Sequence, residues 1–257
     1  GTVTGSTGTF TPGTSKFYYM GTTQNVAGVA YYRLRLQGNG VKTALGHITV
    51  NENLTINSPA NFTVGAYDIT VTGTTAVTGT LTHSSSAGTK TYSGLATINP
   101  GGTWSNTGNA DIHFRNGLTH NGATFSAGTG MYYFETNNQA IGGTSALTIP
   151  KITIEAARTL TNNNSGGLSV TTTLAGEALT QGASGVLNLG MADVGFTLTT
   201  LNASAVGNTV NYSYGGNQTV KDVSYHHLIL STSGTKTLPA GLTHLTGNLT
   251  LSGTATN

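Results

Sequence analysis

The chain has 257 residues, a formal net charge of +2 and only 7% charged residues, against roughly a quarter in an average soluble domain. It has no cysteine, so disulfides, thiolate metal sites and a cysteine nucleophile are excluded. Disorder couples few apolar residues to high net charge, which this chain lacks. Its lysines and arginines are scattered singly along the sequence, so no basic patch argues for nucleic acid or an anionic membrane. No apolar run approaches the roughly 20 residues that cross a bilayer, and membrane insertion is not expected.

Thr supplies about one residue in five and Gly 37 residues. Aliphatic residues alternate with Thr, Ser or Asn in NLTI, ITVTGTTAVTGTLT and GNLTLSGT, the period-two pattern of strands with one buried face. No run of ten or more residues is better read as a helix. The best helical candidate, EAARTL from Glu155, is short and lies between strand-like runs.

In chain order, a first unit of sequence (13–56) runs through GTSKFYYMGTTQNV, with Gly13, Tyr18, Gln24 and Val26. A strand with Leu34 and Leu36 follows, then a G-x-K-T motif at Gly40 to Thr43 and an NLT strand at Asn53. Residues 61–126 read as short strands split by Gly, Asn and Ser turns. They carry the one compact polar cluster, DIHFR, where Asp111, His113 and Arg115 share one strand face and Ile112 and Phe114 the other.

A second copy (128–172), GTGMYYFETNNQAI, repeats the spacing with Gly128, Tyr133, Gln139 and Ile141, and its strand pair is Ile152 and Ile154. A third (207–251), GNTVNYSYGGNQTV, has Gly207, Tyr212, Gln218 and Val220, then Leu228 and Leu230, G-x-K-T at Gly234 to Thr237, and NLT at Asn248. The three glutamines are 115 and 79 residues apart. A stack of coils absorbs such an insertion as further coils, because each coil contacts only its neighbours.

The expected fold is therefore all-β: a right-handed parallel β-helix forming one continuous β-solenoid over 1–257, with extra coils at about 61–126. Coils of about 20 to 25 residues at about 4.8 Å each predict roughly eleven coils and a rod on the order of 50 Å. The rival is a tandem pair of immunoglobulin-like sandwiches. The repeated Gln is expected to stack as an amide ladder, and Lys42 and Lys236 are expected as solvated turn residues. His226 and His227, adjacent on a strand, are expected on opposite faces.

The segments YHHLILSTSGTKTLPAGLTHLTGNLTLSGTAT and QNVAGVAYYRLRLQGNGVKT resemble the tandem β-solenoid repeats of very large bacterial secreted and surface proteins, the filamentous-haemagglutinin-like adhesin class. The resemblance covers most of the chain and is one of repeat grammar. It implies export across the cell envelope and a role in adhesion, matrix or fibre formation, and brings no binding residue with it.

An enzyme on such a scaffold needs carboxylates converging on a cleft, and the eight acids are dispersed without D-x-D or D-D pairing. The expectation is a non-enzymatic, cofactor-free, metal-free protein, secreted or at the cell surface. It builds a filament or an adhesin stalk, with copies of itself or flanking repeats as end-on partners and no nucleic-acid partner. The chain opens on Gly1, as a processed protein or an excerpt would, and its two ends read head to tail as one more coil. The alternative is an adhesive module whose wall holds a glycan or another cell through Tyr132, Tyr133, Asp111, His113 and Arg115. A weaker one is ice binding by Thr-x-Thr rows, which unequal coil lengths oppose.

Overall fold

Leu34, Leu54, Thr75, Ala96 and Leu118 stand in register on successive strands, all buried, and Leu36, Ile56, Val77, Ile98 and His120 form a second column beside them. Such columns are what period-two alternation becomes when each strand pairs with the one a full coil later. The computed structural model describes residues 11–240 and 244–256, so the head-to-tail junction, which needs the first ten residues, lies outside the described residues. About 49% of the chain is strand, arranged in about 11 turns of β-solenoid. Every described strand pairing is parallel. That overturns the sandwich alternative, whose sheets are antiparallel.

The chain divides into two compact units, Gly1–Met131 and Tyr132–Asn257. In the first, each coil contributes three short strands to three parallel ladders. One contains Arg33–Leu36, Leu54–Ile56, Thr75–Val77, Ala96–Ile98 and Leu118–His120. The second contains Val41–Ala44, Asn61–Val64, Thr80–His83, Thr103–Ser105 and Thr124–Ser126, and the third Ile48–Val50, Ile69–Val71, Lys90–Tyr92 and Ile112–Phe114. Large rings fill the second wall: Phe62, Leu81, Trp104 and Phe125 share a column, with Trp104 and Phe125 stacked at 5.6 Å.

In the second unit two of the three strands of a coil fuse. Lys151–Asn162 runs past a register shift between Ile154 and Thr159 and pairs with Thr173–Gln181, which pairs with Phe196–Asn202. The segment EAARTL is therefore the corner of a bent strand, with Ala157 at φ 59. Gly176 opposes that corner at φ 103, where an added Cβ would lie 1.9 Å from the Ile154 carbonyl oxygen. The opposite ladder runs Leu168–Val170, Val186–Leu189, Thr209–Tyr212, His227–Leu230 and Leu249–Leu251.

Register partners are 23 residues apart at Leu81 and Trp104 but 18 apart at Val210 and Leu228. Loops absorb the difference, so outward Thr80, Thr103 and Thr124 remain aligned. Side-chain acceptors tie each corner to the next coil: Asn53 Oδ1 accepts from Thr74 N at 2.9 Å, Asp68 Oδ1 from Thr89 N at 2.6 Å, Asn109 Oδ1 from Thr129 N at 2.8 Å and Asn217 Oδ1 from Thr235 N at 2.9 Å. Corner amide groups point along the stack and need such partners.

Candidate functional site

The cluster DIHFR is arranged as alternation requires. Ile112 and Phe114 are buried, Asp111 is exposed, and His113 and Arg115 are half-buried on the outer face. Asp111 also has a structural task, since its Oδ1 accepts from Met131 N at 2.7 Å. Tyr132 does not belong with these wall residues: it is 0% exposed, and strand alternation leaves only Tyr133 of that pair facing outward. Among the described residues no group of three or more His, Cys, Asp or Glu side chains could hold a metal ion.

The three-copy alignment needs a one-residue correction in the structure. Tyr18, placed opposite Tyr212 by its distance from glycine, is 43% exposed, whereas Tyr212 is 1% exposed. The counterpart of Tyr212 is Tyr19. Tyr19 Oη meets Tyr31 Oη at 2.9 Å, accepts from Ala27 N at 3.1 Å, and Tyr31 donates to Ala27 O at 2.9 Å. Tyr212 Oη meets Tyr225 Oη at 2.8 Å, accepts from Lys221 N at 2.9 Å, and Tyr225 donates to Lys221 O at 2.8 Å. Burial raises Tyr31 and Tyr225 far above the ordinary tyrosine value and pushes Tyr212 up to about 12.

The repeated glutamines form no ladder, because they lie several coils apart. Each closes its own turn instead. Gln24 Oε1 accepts from Gly21 N at 2.7 Å, Gln139 Nε2 donates to Glu135 O at 2.7 Å, and Gln218 Oε1 accepts from Tyr214 N at 3.1 Å. Gly13, Gly128 and Gly207, eleven residues before the three glutamines, all have positive φ.

Lys42 and Lys236 are not solvated. Both are 0% exposed, and each sits in register beside a repeated glutamine, Lys42 by Gln24 and Lys236 by Gln218. Lys42 Nζ donates to Gly21 O at 2.7 Å, Thr22 O at 2.8 Å and Asn39 O at 2.8 Å; Lys236 Nζ donates to Tyr214 O at 2.5 Å, Gly216 O at 2.8 Å and Ser233 O at 2.9 Å. Lys90, also 0% exposed, does the same with Tyr67 O, Ala87 O and Gly88 O. It belongs to a third G-x-K-T, Gly88 to Thr91, which the three-copy alignment passed over although the motif stands in the sequence. Burial lowers all three lysines from their ordinary value, and the ring of carbonyl oxygens opposes this by binding the ammonium form.

His226 and His227 also depart from expectation. A bend at His226 breaks the strand, so both rings are half-exposed and meet edge to face with centroids 4.1 Å apart. Each accepts a backbone N–H through Nδ1, His226 from Gly207 and His227 from Asn248, both at 3.1 Å.

Basic residues scattered singly along the sequence are brought together by parallel register. On the first unit's wall Lys16 lies beside Arg33, and Tyr18 beside Arg35. Arg33 pairs with Glu52 through Nε and Oε2 and through Nη2 and Oε1, the latter at 2.8 Å. That bond, and secondarily Coulomb attraction to Arg33, holds Glu52 below the usual carboxylate range. Lys16, Tyr18, Arg33, Arg35, Glu52 and Thr55 line one open groove.

At the other extreme of the sequence, Leu249 and Leu251 are 39% and 50% exposed although they stand in register with fully buried Leu228 and Leu230. Leu249–Leu251 is the last described strand of its ladder.

Compared with known proteins, the chain matches no protein-family model, no curated protein and no solved structure. What the sequence resemblance and the structure share is the architecture, a β-solenoid of stacked coils.

Proposed function

We propose that the chain is a non-enzymatic structural β-solenoid, a filament subunit or a stalk segment of a large secreted or cell-surface protein. The observation that carries this reading is the stack itself: every described strand pairing is parallel, and inward columns stay buried from one coil to the next. A further coil, from flanking chain or from a second copy, would continue the Leu249–Leu251 ladder in the same way and bury both leucines. Dispersed acids and corner residues bonded to backbone support a role in holding coils rather than in chemistry.

Negative-stain microscopy with sedimentation over a dilution series tests it. Long fibres of uniform width that vanish in Leu249→Asp/Leu251→Asp support end-on assembly of copies. Monodisperse particles at all concentrations sink self-assembly and leave the stalk segment.

A further inference from the structure

The groove of Lys16, Arg33 and Arg35 accounts for three of the chain's ten basic residues and only one of its eight acids, Glu52. Its formal charge equals the +2 of the whole chain. The two arginines, two apart on the strand Arg33–Leu36, are held differently. Arg33 is satisfied by a carboxylate in two-pronged fashion. Arg35 is held by a neutral group: the Asn57 amide oxygen, in the orientation its neighbours require, accepts from Nη2 at 2.6 Å and Nε at 2.9 Å. That contact positions the guanidinium without cancelling its charge, and a guanidinium has five N–H donors, so capacity for an external carboxylate remains.

The surroundings favour a particular kind of acid. Tyr18, 43% exposed and in register with Arg35, supplies an exposed aromatic ring, the side-chain type that packs on a sugar ring. From Arg35 the outward column continues as Thr55, Ala76, Thr97 and Thr119, all short, at the strand spacing of about 4.8 Å. A tall cationic step therefore opens onto a low shelf bearing hydroxyls, and an extended polymer fits along it.

We propose that this groove binds the carboxylates of a linear acidic polysaccharide laid along the shelf, with Arg35 and Lys16 as the anion contacts and Tyr18 as the stacking ring. The inference does not depend on end-on assembly, since the groove lies on the side wall.

Affinity electrophoresis and calorimetry with polygalacturonate test it, with dextran and single-stranded DNA as comparison polymers. Wild-type protein is expected to bind polygalacturonate and not dextran. Lys16→Gln/Arg35→Gln should weaken binding at least tenfold and Tyr18→Ala several-fold, with circular dichroism unchanged. Lys151→Gln/Arg158→Gln, the same charge change in the second unit, should leave binding intact. No binding to polygalacturonate, equal binding to DNA, or equal loss in the second-unit variant would overturn the proposal. Sedimentation of the Lys16→Gln/Arg35→Gln variant, expected to match wild type, separates this result from the assembly reading.

Discussion

Tyr212 and Tyr225 join their hydroxyls at 2.8 Å inside the second unit, the same bond that Tyr19 and Tyr31 make at 2.9 Å inside the first. In both, one hydroxyl takes a backbone N–H and the other gives to the carbonyl of the same residue, Lys221 or Ala27. The ring pair thus pins a loop at both of its polar groups. Tyr212→Phe removes one hydroxyl and leaves the Lys221 N–H without its partner. A loss of about 1 to 2 kcal/mol is expected in urea unfolding, and a similar loss for Tyr19→Phe.

The caged lysines tie neighbouring turns together through their ammonium groups. Lys236→Met keeps the buried stem but takes the ammonium donor from Gly216 O and Ser233 O, and leaves Tyr214 O with the Thr232 hydroxyl alone of its two side-chain donors. A cost of about 3 kcal/mol or more is expected, and likewise for Lys42→Met and Lys90→Met. Lys151→Met, on the half-buried outer face, should stay within about 0.5 kcal/mol. Comparable effects for Lys151 and Lys236 would refute the cage as a stabilising device.

Acid should weaken the fold through His83. Its Nε2 meets Tyr92 Oη at 2.6 Å, and its ring lies 4.7 Å from Trp104. Burial, and secondarily the Lys90 ammonium, pushes it down to about 3 from 6.5. Between those values the unfolded chain binds a proton that the folded chain refuses, so stability is full above pH 6.5 and falls as pH drops toward 3. Buried His120, also lowered by desolvation, adds in the same direction. Thermal midpoints across this range should decline less steeply in His83→Leu than in the wild type.

Tyr132→Ala and Tyr133→Ala should separate core from wall. Tyr132 is fully buried and its loss is expected to cost about 3 to 5 kcal/mol, whereas Tyr133→Ala should cost well under that. Chemical denaturation of the two variants decides it.

Much of the architecture is legible in the sequence. Alternation in NLTI and GNLTL marks strands because only one face of a coil is buried, and the paired residues Leu34/Leu36, Ile152/Ile154 and Leu228/Leu230 are buried as that pattern requires. Unequal spacing of three similar segments marks a stack, because a stack tolerates whole extra coils. Gly, Asn and Asp at the corners follow from the left-handed angles and from the amide groups that corners leave unpaired.

Facing was harder to read than strand. A side chain's face depends on the parity of its distance from the last turn, and a single inserted residue reverses it. Tyr212 lies six residues before Gln218, while Tyr19 lies five before Gln24, and so spacing from glycine selected the wrong tyrosine. Charge misled for a related reason. A lysine reads as solvated by composition, yet a corner with three inward carbonyls makes the interior the better place for its ammonium. The sequence by itself determined the strands, the coils and their repetition, because these depend on local period and turn chemistry. Only the tertiary structure decided which lysines are caged, which tyrosines pair, and that Lys16, Arg33 and Arg35 share a groove, because register brings together residues a full coil apart.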